Sequence, residues 1–475
     1  MTEGPALFLP ISREKWGPPP GRRGNGALRP KVASEPPTRR VRPPAPRPTK
    51  FSIEWRFPMC SIETLPNGVR IVTERIDTVR SAALGIWIGG GSREETAAES
   101  GAAHFIEHML FKGTATRSAQ DIARETDAIG GQMNAFTTKE CTCFYARVLD
   151  EHLAQATDIL CDMVYHSAFA QSSVETERGV ILEEIDMYED TPDDLCAEKL
   201  FGAVFQGSPL ARPILGVPET LATMTGDSLK AYHHSHYRGD NTVVALAGSF
   251  TEADLADLRQ RFSALPAGQP QPVVPAKYTP AFVATPKPIE QNHLTLAFPG
   301  LDYNSPRRFA LQLLSSILGG GVSSRLFQQV REQQGLCYSI YSYGAGHADT
   351  GVFCIYTALN RDTEAKALAT IRQVVDQLRD QGPTSEELER AREQSKANVI
   401  MGLESTQARM SHAGRSLLFS GEILTPEAIL AAYDAVTRED VMALARDLFQ
   451  WDQASLSAVG QVRPAEAYRA LVLGA

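Results

Sequence analysis

The first α+β unit is built around the stretch Ser81-Ala82-Ala83-Leu84-Gly85-Ile86-Trp87-Ile88, which is closed by Gly89-Gly90-Gly91-Ser92. A short apolar run bounded by a glycine turn is typical of a buried strand. The pattern next predicts a helix over about residues 100–111. It then predicts a hairpin with strands near 130–137 and 142–148. Strand, helix and hairpin together form one α+β unit.

Further elements extend this first unit in both directions along the chain. A Pro66-Asn67-Gly68 turn joins two short runs and predicts another hairpin ahead of the buried strand. Helices are predicted near 151–165 and 171–190. A final apolar run at 242–248 predicts one more strand. The unit therefore reaches to about residue 248.

The same order of elements recurs in the second half of the chain. The recurring elements are a strand at 293–298, a helix at 305–318, a hairpin at 338–343 and 351–356, and helices near 362–381 and 384–403. A repeat of about 200 residues is far longer than a solenoid unit. The predicted fold class is therefore α+β, with two duplicated α/β-sandwich domains. Each is predicted to be an antiparallel-rich sheet with helices on one side.

A stretch rich in proline and alanine separates the two units. It covers residues 264–288, has little periodicity and is the best linker candidate. We therefore place the first domain at 59–270, the linker at 271–288 and the second domain at 289–475.

The first 58 residues differ in composition from the rest of the chain. They hold 12 Lys and Arg against 4 Asp and Glu, and 13 of the 30 prolines. This segment has too few apolar residues to bury the surface that would offset the conformational entropy lost on folding. Residues 1–58 are therefore predicted to be a disordered extension. A natural start at Met59 is the alternative. An organelle transit peptide is disfavoured because prolines oppose its amphipathic helix.

Composition also argues against several classes of protein. With 43% hydrophobic and 22% charged residues the chain reads as globular, and it has no apolar run long enough for a membrane span. Seven scattered cysteines do not form a disulfide framework, which favours a reducing compartment. The glycines of the stretch 319–325 lack the Gly-Lys-Ser/Thr ending of a phosphate loop. No nucleotide or nucleic-acid partner is indicated.

The chemistry is concentrated in His104-Phe105-Ile106-Glu107-His108, on the predicted helix. Residues four apart lie one turn apart on the same side of a helix, so both imidazoles can reach one metal ion. The Glu107 carboxylate stands beside the same site. There it can take a proton from a water that zinc activates for attack on a peptide carbonyl. A chance motif among ten histidines is the weaker alternative.

A catalytic zinc ion needs a third protein ligand and one open position. A predicted helix supplies candidates, because Glu177 and Glu184 lie two turns apart along one face. Glu183 points about 100° away from Glu184. One of these carboxylates can complete the site while another orients a histidine. Spacing alone leaves the choice open.

The run from His104 to Thr114, followed by Glu184, resembles the pitrilysin/insulinase family of zinc metallopeptidases. Within the family it is most similar to the mitochondrial processing peptidase β-subunit and its bacterial homologues. The likeness extends from Ser61 to about Val462. It implies a fold of two similar domains that form half of a hollow clamshell.

The resemblance also assigns roles to the motif residues. It implies that His104, His108 and Glu184 bind one zinc ion per chain. Glu107 is then the general base, and Glu177 is the carboxylate that supports the ligands. A zinc-dependent endopeptidase is the predicted function.

Two further features match the family. Arg331 and Tyr338 are spaced as in its second catalytic half, where by resemblance they bind substrate and stabilise the transition state. Without the resemblance, a surface ion pair and ordinary packing would be their simpler roles. The stretch Gly131 to Thr137, with Asn134, Ala135 and Phe136 as its substrate-binding residues, resembles the substrate-binding edge strand of the family, to which a peptide adds as a further strand.

Charge indicates the kind of substrate. The whole chain carries −9 and residues 1–58 carry +8, so the remainder carries −17, which favours basic peptides. Asp194 and Glu198 follow Glu184 on the predicted helical extension. By resemblance they match acidic positions that recognise an arginine near the cleavage site. A solvated acidic face is the alternative.

The halves of such peptidases meet face to face, so we expect a homodimer. In it, Arg331 and Tyr338 of one subunit serve the zinc of the other, and a heterodimer with an inactive relative is the alternative. A catalytically silent scaffold or substrate-presenting subunit is the competing function, but such relatives typically lose the motif histidines or glutamate. The bacterial cytoplasm is the preferred location and the mitochondrial matrix the second choice.

Overall fold

The computed structural model describes residues 60–269 and 274–474. The predicted extension 1–58 and linker residues 271–273 lie outside the described residues. We refer to the two described stretches as the first half and the second half. Each half contains one sheet, of six strands in the first and five in the second, as far as the described residues extend.

The first half contains both predicted hairpins and the predicted helices. Its strands in chain order are β1 (Ser61–Thr64), β2 (Arg70–Arg75), β3 (Ser81–Ile88), β4 (Gln132–Thr137), β5 (Thr142–Leu149) and β6 (Thr242–Gly248). Its helices in chain order are α1 (Ala102–Leu110), α2 (Ala119–Ala128), α3 (Leu153–His166), α4 (Gln171–Glu189), α5 (Pro192–Val204), α6 (Pro218–Leu221), α7 (Gly226–His236) and α8 (Glu252–Ser263). The strand order is β1-β2-β6-β3-β5-β4, and only the β2–β6 pair is parallel.

The second half repeats this plan. Its strands are β7 (Phe282–Pro286), β8 (Asn292–Pro299), β9 (Cys337–Gly346), β10 (Gly351–Leu359) and β11 (Ser455–Gly460). Its helices are α9 (Arg308–Gly319), α10 (Glu364–Gln381), α11 (Ser385–Gly402), α12 (Thr406–Phe419), α13 (Pro426–Ala435), α14 (Arg438–Leu448) and α15 (Ala465–Leu473), and a π-helical turn spans Phe327–Glu332. The strand order β7-β11-β8-β10-β9 matches β2-β6-β3-β5-β4, with one parallel pair in the same place. The predicted duplicated α+β fold class is confirmed.

The predicted linker 271–288 is partly wrong, because residues 282–286 form strand β7. This strand pairs in parallel with β11, so backbone hydrogen bonds from a distant segment define it. Its residues are only half-buried and show no alternation that could reveal a strand in the sequence.

The buried strand β3 is covered on both faces, each by different helices. Alternate residues point to opposite faces of a sheet, and Leu84 and Ile86 pack into the main core of the first half. Trp87 points the other way and packs against helix α12 of the second half. A Cβ on Gly414 of that helix would overlap the Trp87 ring, and such overpacking typically costs about 1–3 kcal/mol.

The second sheet is covered in a reciprocal way. Ala297 and Cys354, on adjacent strands of that sheet, pack against Leu200 and Val204 of helix α5 from the first half. Each half therefore supplies one helix that covers the outer face of the other half's sheet. The apolar strand pattern reflects this double coverage.

None of the helices among the described residues combines the length and apolar character that crossing a bilayer requires.

Candidate metal centre

The motif helix α1 begins at a position that only glycine fits well. Gly101 precedes the helix with φ of +97°, in the left-handed region, and a Cβ there would press against the backbone of Gly216. The buried carboxylate of Glu95 accepts hydrogen bonds of 2.9 Å from the backbone N–H groups of Gly101 and Ala103. It satisfies donors that the first helical turn leaves open and so fixes the start of α1.

Two histidines of α1 meet a carboxylate of α4. His104 and His108 lie one turn apart with ring centroids 4.6 Å apart. The Oε2 atom of Glu184 lies 3.6 Å from His104 Nε2 and 3.4 Å from His108 Nε2. Within residues 60–269 and 274–474, no other set of three His, Cys, Asp or Glu donors converges in this way. Glu183, left open by the spacing, is exposed and is not part of the group.

The donor set fits a zinc ion. A tetrahedral zinc with ligand distances of about 2.0–2.2 Å holds its donor atoms about 3.3–3.6 Å apart. The two distances to Glu184 Oε2 lie in this range. His108 Nδ1 contacts Glu177, and the Nε2 atoms of both histidines are the ring atoms that lie within 3.6 Å of the Glu184 carboxylate oxygen. Two imidazoles and one carboxylate also form a ligand set known from catalytic zinc sites, which leave one position open.

Glu177 supports this arrangement from behind His108. Its Oε1 atom lies 2.9 Å from His108 Nδ1, and its Oε2 atom forms a 2.6 Å ion pair with Lys112. Burial would raise the pKa of Glu177, but the contacts with His108 and Lys112 outweigh it and lower the pKa. An ionised Glu177 accepts a hydrogen bond from the Nδ1–H of His108, which leaves His108 Nε2 free to bind a metal.

The two histidines have opposite electrostatic environments. Burial, together with the neighbouring His108, lowers the pKa of His104 to about 4. Burial also opposes charge on His108, but hydrogen bonds to Glu177 and Glu184 raise its pKa to about 9. A metal must therefore displace a proton from His108, whereas His104 is already neutral at pH 7.

Glu107 lies on the same helix and contacts strand β4. Its Oε2 atom accepts a 2.6 Å hydrogen bond from the Thr137 hydroxyl. Burial raises the pKa of Glu107, and this hydrogen bond and the charge of His108 only partly oppose it, so the pKa stays above its ordinary value. A half-buried carboxylate with a raised pKa is better matched to accepting a proton near neutral pH than an exposed one.

The sequence interpretation did not identify Lys112 and Thr137. Lys112 belongs to the quoted run after the motif, and its position four residues after His108 could have revealed it. Thr137 lies at the end of a strand that is distant from the motif in sequence. No spacing rule could have linked it to Glu107.

The predicted docking strand β4 is the outer strand of its sheet. It pairs with β5 on one side, and the described residues place no strand on its other side. Asn134 is exposed and Ala135 is half-buried, whereas Phe136 packs edge-on against Trp87 with ring centroids 5.6 Å apart. The free backbone edge is available to a peptide, but the Phe136 side chain belongs to the core between the halves.

Arg331 and Tyr338 lie together in the second half. The Arg331 guanidinium lies over the rings of Phe327 and Tyr338, at 4.6 Å and 5.3 Å from their centroids. Tyr338 is 71% exposed, which is unusual for a large aromatic residue. The contacts described for this pair all lie within the second half, so its predicted role at the metal stays a prediction.

Asp194 and Glu198 are half-buried on α5, directly after the helix that carries Glu184. Burial raises the pKa of Tyr188, and the negative charges of Asp194, Glu198 and Glu184 raise it further. Burial also raises the pKa of Glu198, and the nearby charge of Lys139 opposes this. A substrate cation at Glu198 would share that carboxylate with Lys139.

Comparison with known proteins identifies the family. The family described as Insulinase (Peptidase family M16) matches residues 70–217, and the one described as Peptidase M16 inactive domain matches residues 223–395. The chain belongs to the pitrilysin/insulinase family of peptidases.

Individual relatives agree with this assignment. The chain is 44% identical to the uncharacterized zinc protease YmxG of Bacillus subtilis over 392 residues, which is 82% of this chain and 96% of the relative. It is 42% identical to an uncharacterized zinc protease of Streptomyces coelicolor over 417 residues, covering 86% of this chain and 90% of the relative. Bacterial relatives named as zinc proteases thus cover most of the chain.

Solved structures share the fold. The peptidase M16 inactive domain from Pseudomonas fluorescens superposes with a TM-score of 0.80 at 22% identity, over 85% of this chain and 98% of that chain. A protease from Helicobacter pylori gives a TM-score of 0.79 at 20% identity, over 85% of this chain and all of that chain. At these identities the likeness concerns the fold alone.

Proposed function

We propose that this chain is a zinc-dependent endopeptidase. The observation that carries the proposal is the convergence of His104, His108 and Glu184, with Glu107 on the same helix. When bound, zinc lowers the pKa of water toward neutrality and polarises a substrate carbonyl.

The side chains of the site divide the remaining work. Glu107 accepts the proton of the attacking water and passes it to the leaving amine, a role supported by its raised pKa. Thr137 holds one oxygen of that carboxylate and so fixes its direction. Glu177 and Lys112 keep His108 in the tautomer that offers Nε2 to the metal.

Substrate binding uses the free edge of β4. A peptide that adds to this edge makes backbone hydrogen bonds beside the metal group, which gives affinity with little sequence preference. The negative charge of the chain after residue 58 and the acids Asp194 and Glu198 favour basic, arginine-containing peptides.

A second copy of the chain completes the site. Arg331 and Tyr338 carry five N–H donors and one hydroxyl that suit a developing oxyanion. The exposed ring of Tyr338 fits a residue that acts across an interface, so we propose a homodimer in which the pair serves the partner's zinc. An inactive relative as the partner is the alternative.

Zinc content and cleavage of a quenched arginine-containing peptide test the peptidase function. Wild type should hold about one zinc per chain and cleave. Glu107→Gln should keep the zinc and lose cleavage, while Glu183→Gln, an exposed carboxylate on α4, should behave like wild type. If wild type binds zinc without cleaving, alone or with candidate partners, the silent scaffold function replaces the proposal.

Paired peptides that differ only in one arginine test the substrate preference. Asp194→Ala/Glu198→Ala should reduce kcat/KM for the arginine peptide more than for its leucine analogue. The control is Asp190→Asn, which alters an exposed acid next to α5. An unchanged ratio between the two peptides would exclude the acidic pair from arginine recognition.

Mixing two inactive variants tests the shared site. Glu107→Gln lacks the base, and Arg331→Ala/Tyr338→Phe lacks the proposed oxyanion donors. If the donors act in trans, mixed dimers regain one complete site and the mixture should reach about a quarter of wild-type activity. Absence of any recovery, with subunit exchange verified, would place both sets in one chain.

A further inference from the structure

A buried arginine connects three segments beside the metal centre. The side chain of Arg93 is only 2% exposed and lies between β3 and α1. Its guanidinium donates a hydrogen bond of 2.6 Å to Glu140 of the first half and one of 2.7 Å to Asp349 of the second half. It also donates a hydrogen bond of 2.8 Å to the carbonyl oxygen of Val274. A buried guanidinium with two carboxylate partners strongly fixes the relative positions of its neighbours.

The second half makes further contacts with the same carboxylate. Glu140 accepts a 3.0 Å hydrogen bond from the backbone N–H of Ala348, and His347 Nδ1 lies 3.4 Å from it. Asp349 in turn accepts a 2.8 Å hydrogen bond from the N–H of Ala276. The turn 347–349, which joins β9 to β10, is therefore bound directly to the turn between β4 and β5.

The backbone of the first half reinforces this position. The backbone N–H of Arg93 donates a hydrogen bond of 2.7 Å to the carbonyl oxygen of Lys139. The N–H of Ser92 donates one of 3.3 Å to the carbonyl oxygen of Thr138. A Cβ on Gly91 would overlap the same Thr138 carbonyl, so the glycine loop after β3 lies against the turn of the hairpin.

The hairpin held in this way carries functional parts of the site. Strand β4 ends at Thr137, which donates to Glu107, and its free edge is the proposed docking strand. Asp349 contacts Arg93, Arg93 contacts Glu140, and Glu140 lies three residues after Thr137 in the turn of the hairpin.

We propose that Arg93, Glu140 and Asp349 are positioning residues through which the second half aligns the β4–β5 hairpin with the metal centre. This inference rests on the proposed peptidase function for its effect on activity. They act on the reaction by holding the hairpin in place, chiefly through the hydrogen bond that Thr137 donates to Glu107. A displacement of about 1 Å at a catalytic group can cost about a hundredfold in rate, so a modest loosening has a measurable effect.

The chain provides a matched control contact. Glu74 of β2 forms a buried ion pair with Arg409 of α12, which also joins the two halves. Strand β2 is separated from β4 by three strands of the sheet. Loss of that ion pair weakens the contact between the halves without touching the hairpin.

Hydrogen–deuterium exchange on the full chain is the first measurement, because it does not depend on activity. In Asp349→Ala, peptides from residues 132–149 should exchange about tenfold faster than in wild type. Glu74→Ala should leave these peptides unchanged even where it lowers Tm as much. If Asp349→Ala does not fold, Asp349→Asn takes its place. Unchanged exchange at 132–149 would overturn the inference.

A double-mutant cycle then tests whether the effect passes through Thr137. Asp349→Ala and Thr137→Val should each lower kcat/KM by about tenfold. The double variant should lose much less than the product of the two, because both changes disturb one contact. Losses that multiply would overturn the proposed route. Faster exchange in a chain that never cleaves peptide would instead refute the proposed function and leave the coupling intact.

Discussion

The two halves share one fold and differ in what their equivalent helices carry. In the first half, α1 follows the central strand β3 and packs on α4; in the second half, α9 follows β8 and packs on α11. Helix α1 places two histidines and a glutamate toward α4. Helix α9 has no ionisable residue after Arg308.

The carboxylates on α4 and α11, the helices that pack on α1 and α9, differ accordingly in their contacts. On α4, Glu177 and Glu184 turn toward the histidines of α1. On α11, Glu386, Glu389 and Glu393 pair with bases of the same helix, and Glu387 pairs with Arg325 of another segment. The shared scaffold brings two helices together in each half, and only the side chains at the helix contact give one of the two pairs a candidate metal site.

Removal of a histidine should abolish the metal site in the first half alone. His104→Ala is expected to reduce bound zinc from about one ion per chain to none and to eliminate cleavage, since two protein ligands seldom retain a catalytic zinc. His412→Ala, in α12 of the second half, should leave the zinc content unchanged. Metal analysis after dialysis is the measurement. Zinc retained by His104→Ala would mean that the ion binds elsewhere.

The supporting carboxylate should matter next. Glu177→Gln is expected to weaken zinc binding by about 10–100-fold, because the charged acceptor that orients His108 becomes a neutral amide that also no longer pairs with Lys112. Glu183→Gln, on the outer side of the same helix, should have wild-type affinity. Competition with a fluorescent zinc chelator gives both constants. Equal affinity in the two variants would contradict the role of Glu177.

The hydroxyl of Thr137 should affect the rate more than the metal. Thr137→Val removes a hydrogen bond that lowers the pKa of Glu107, so that pKa should rise further. Glu107 must be ionised to accept a proton, so the acidic limb of the kcat profile should move to higher pH, with kcat about tenfold lower at neutral pH. Thr137→Ser should restore both values. The proposed role is wrong if Ser and Val variants behave alike.

Lys112 should have the smallest effect, because its side chain is 35% exposed and water screens its charge. Lys112→Met leaves Glu177 with only His108 as a partner and is expected to weaken zinc binding by about two- to fivefold. Lys112→Arg should retain most of the affinity. The same chelator competition resolves the difference at low salt, where the effect should be largest. A loss as large as that of Glu177→Gln would indicate that Lys112 contacts the metal centre in another way.

Much of the site followed from local sequence patterns. The helix of His104 and His108 and the helix of Glu177 and Glu184 could both be predicted, because helical periodicity is a short-range property. Of the three glutamates that the spacing left open, the structure brings Glu184 to the histidines and leaves Glu183 exposed.

Other parts could not be predicted, because they depend on residues far apart in the chain. Strand β7 exists because β11 lies beside it, and its own five residues carry no strand pattern. Thr137 contacts Glu107 only after the β4–β5 hairpin has folded over α1. Such contacts leave no periodic signal in a single sequence.

The sequence by itself determined the duplicated α+β plan and the two helices that bear the metal-binding side chains, since periodicity and residue type are local. Helical spacing left the third ligand open and the family resemblance named Glu184. The tertiary structure decided how each half covers the other's sheet with a helix. It also decided that Arg93 ties the second half to the hairpin beside Glu107. These features arise from the packing of distant segments, where shape and buried charge must match in three dimensions.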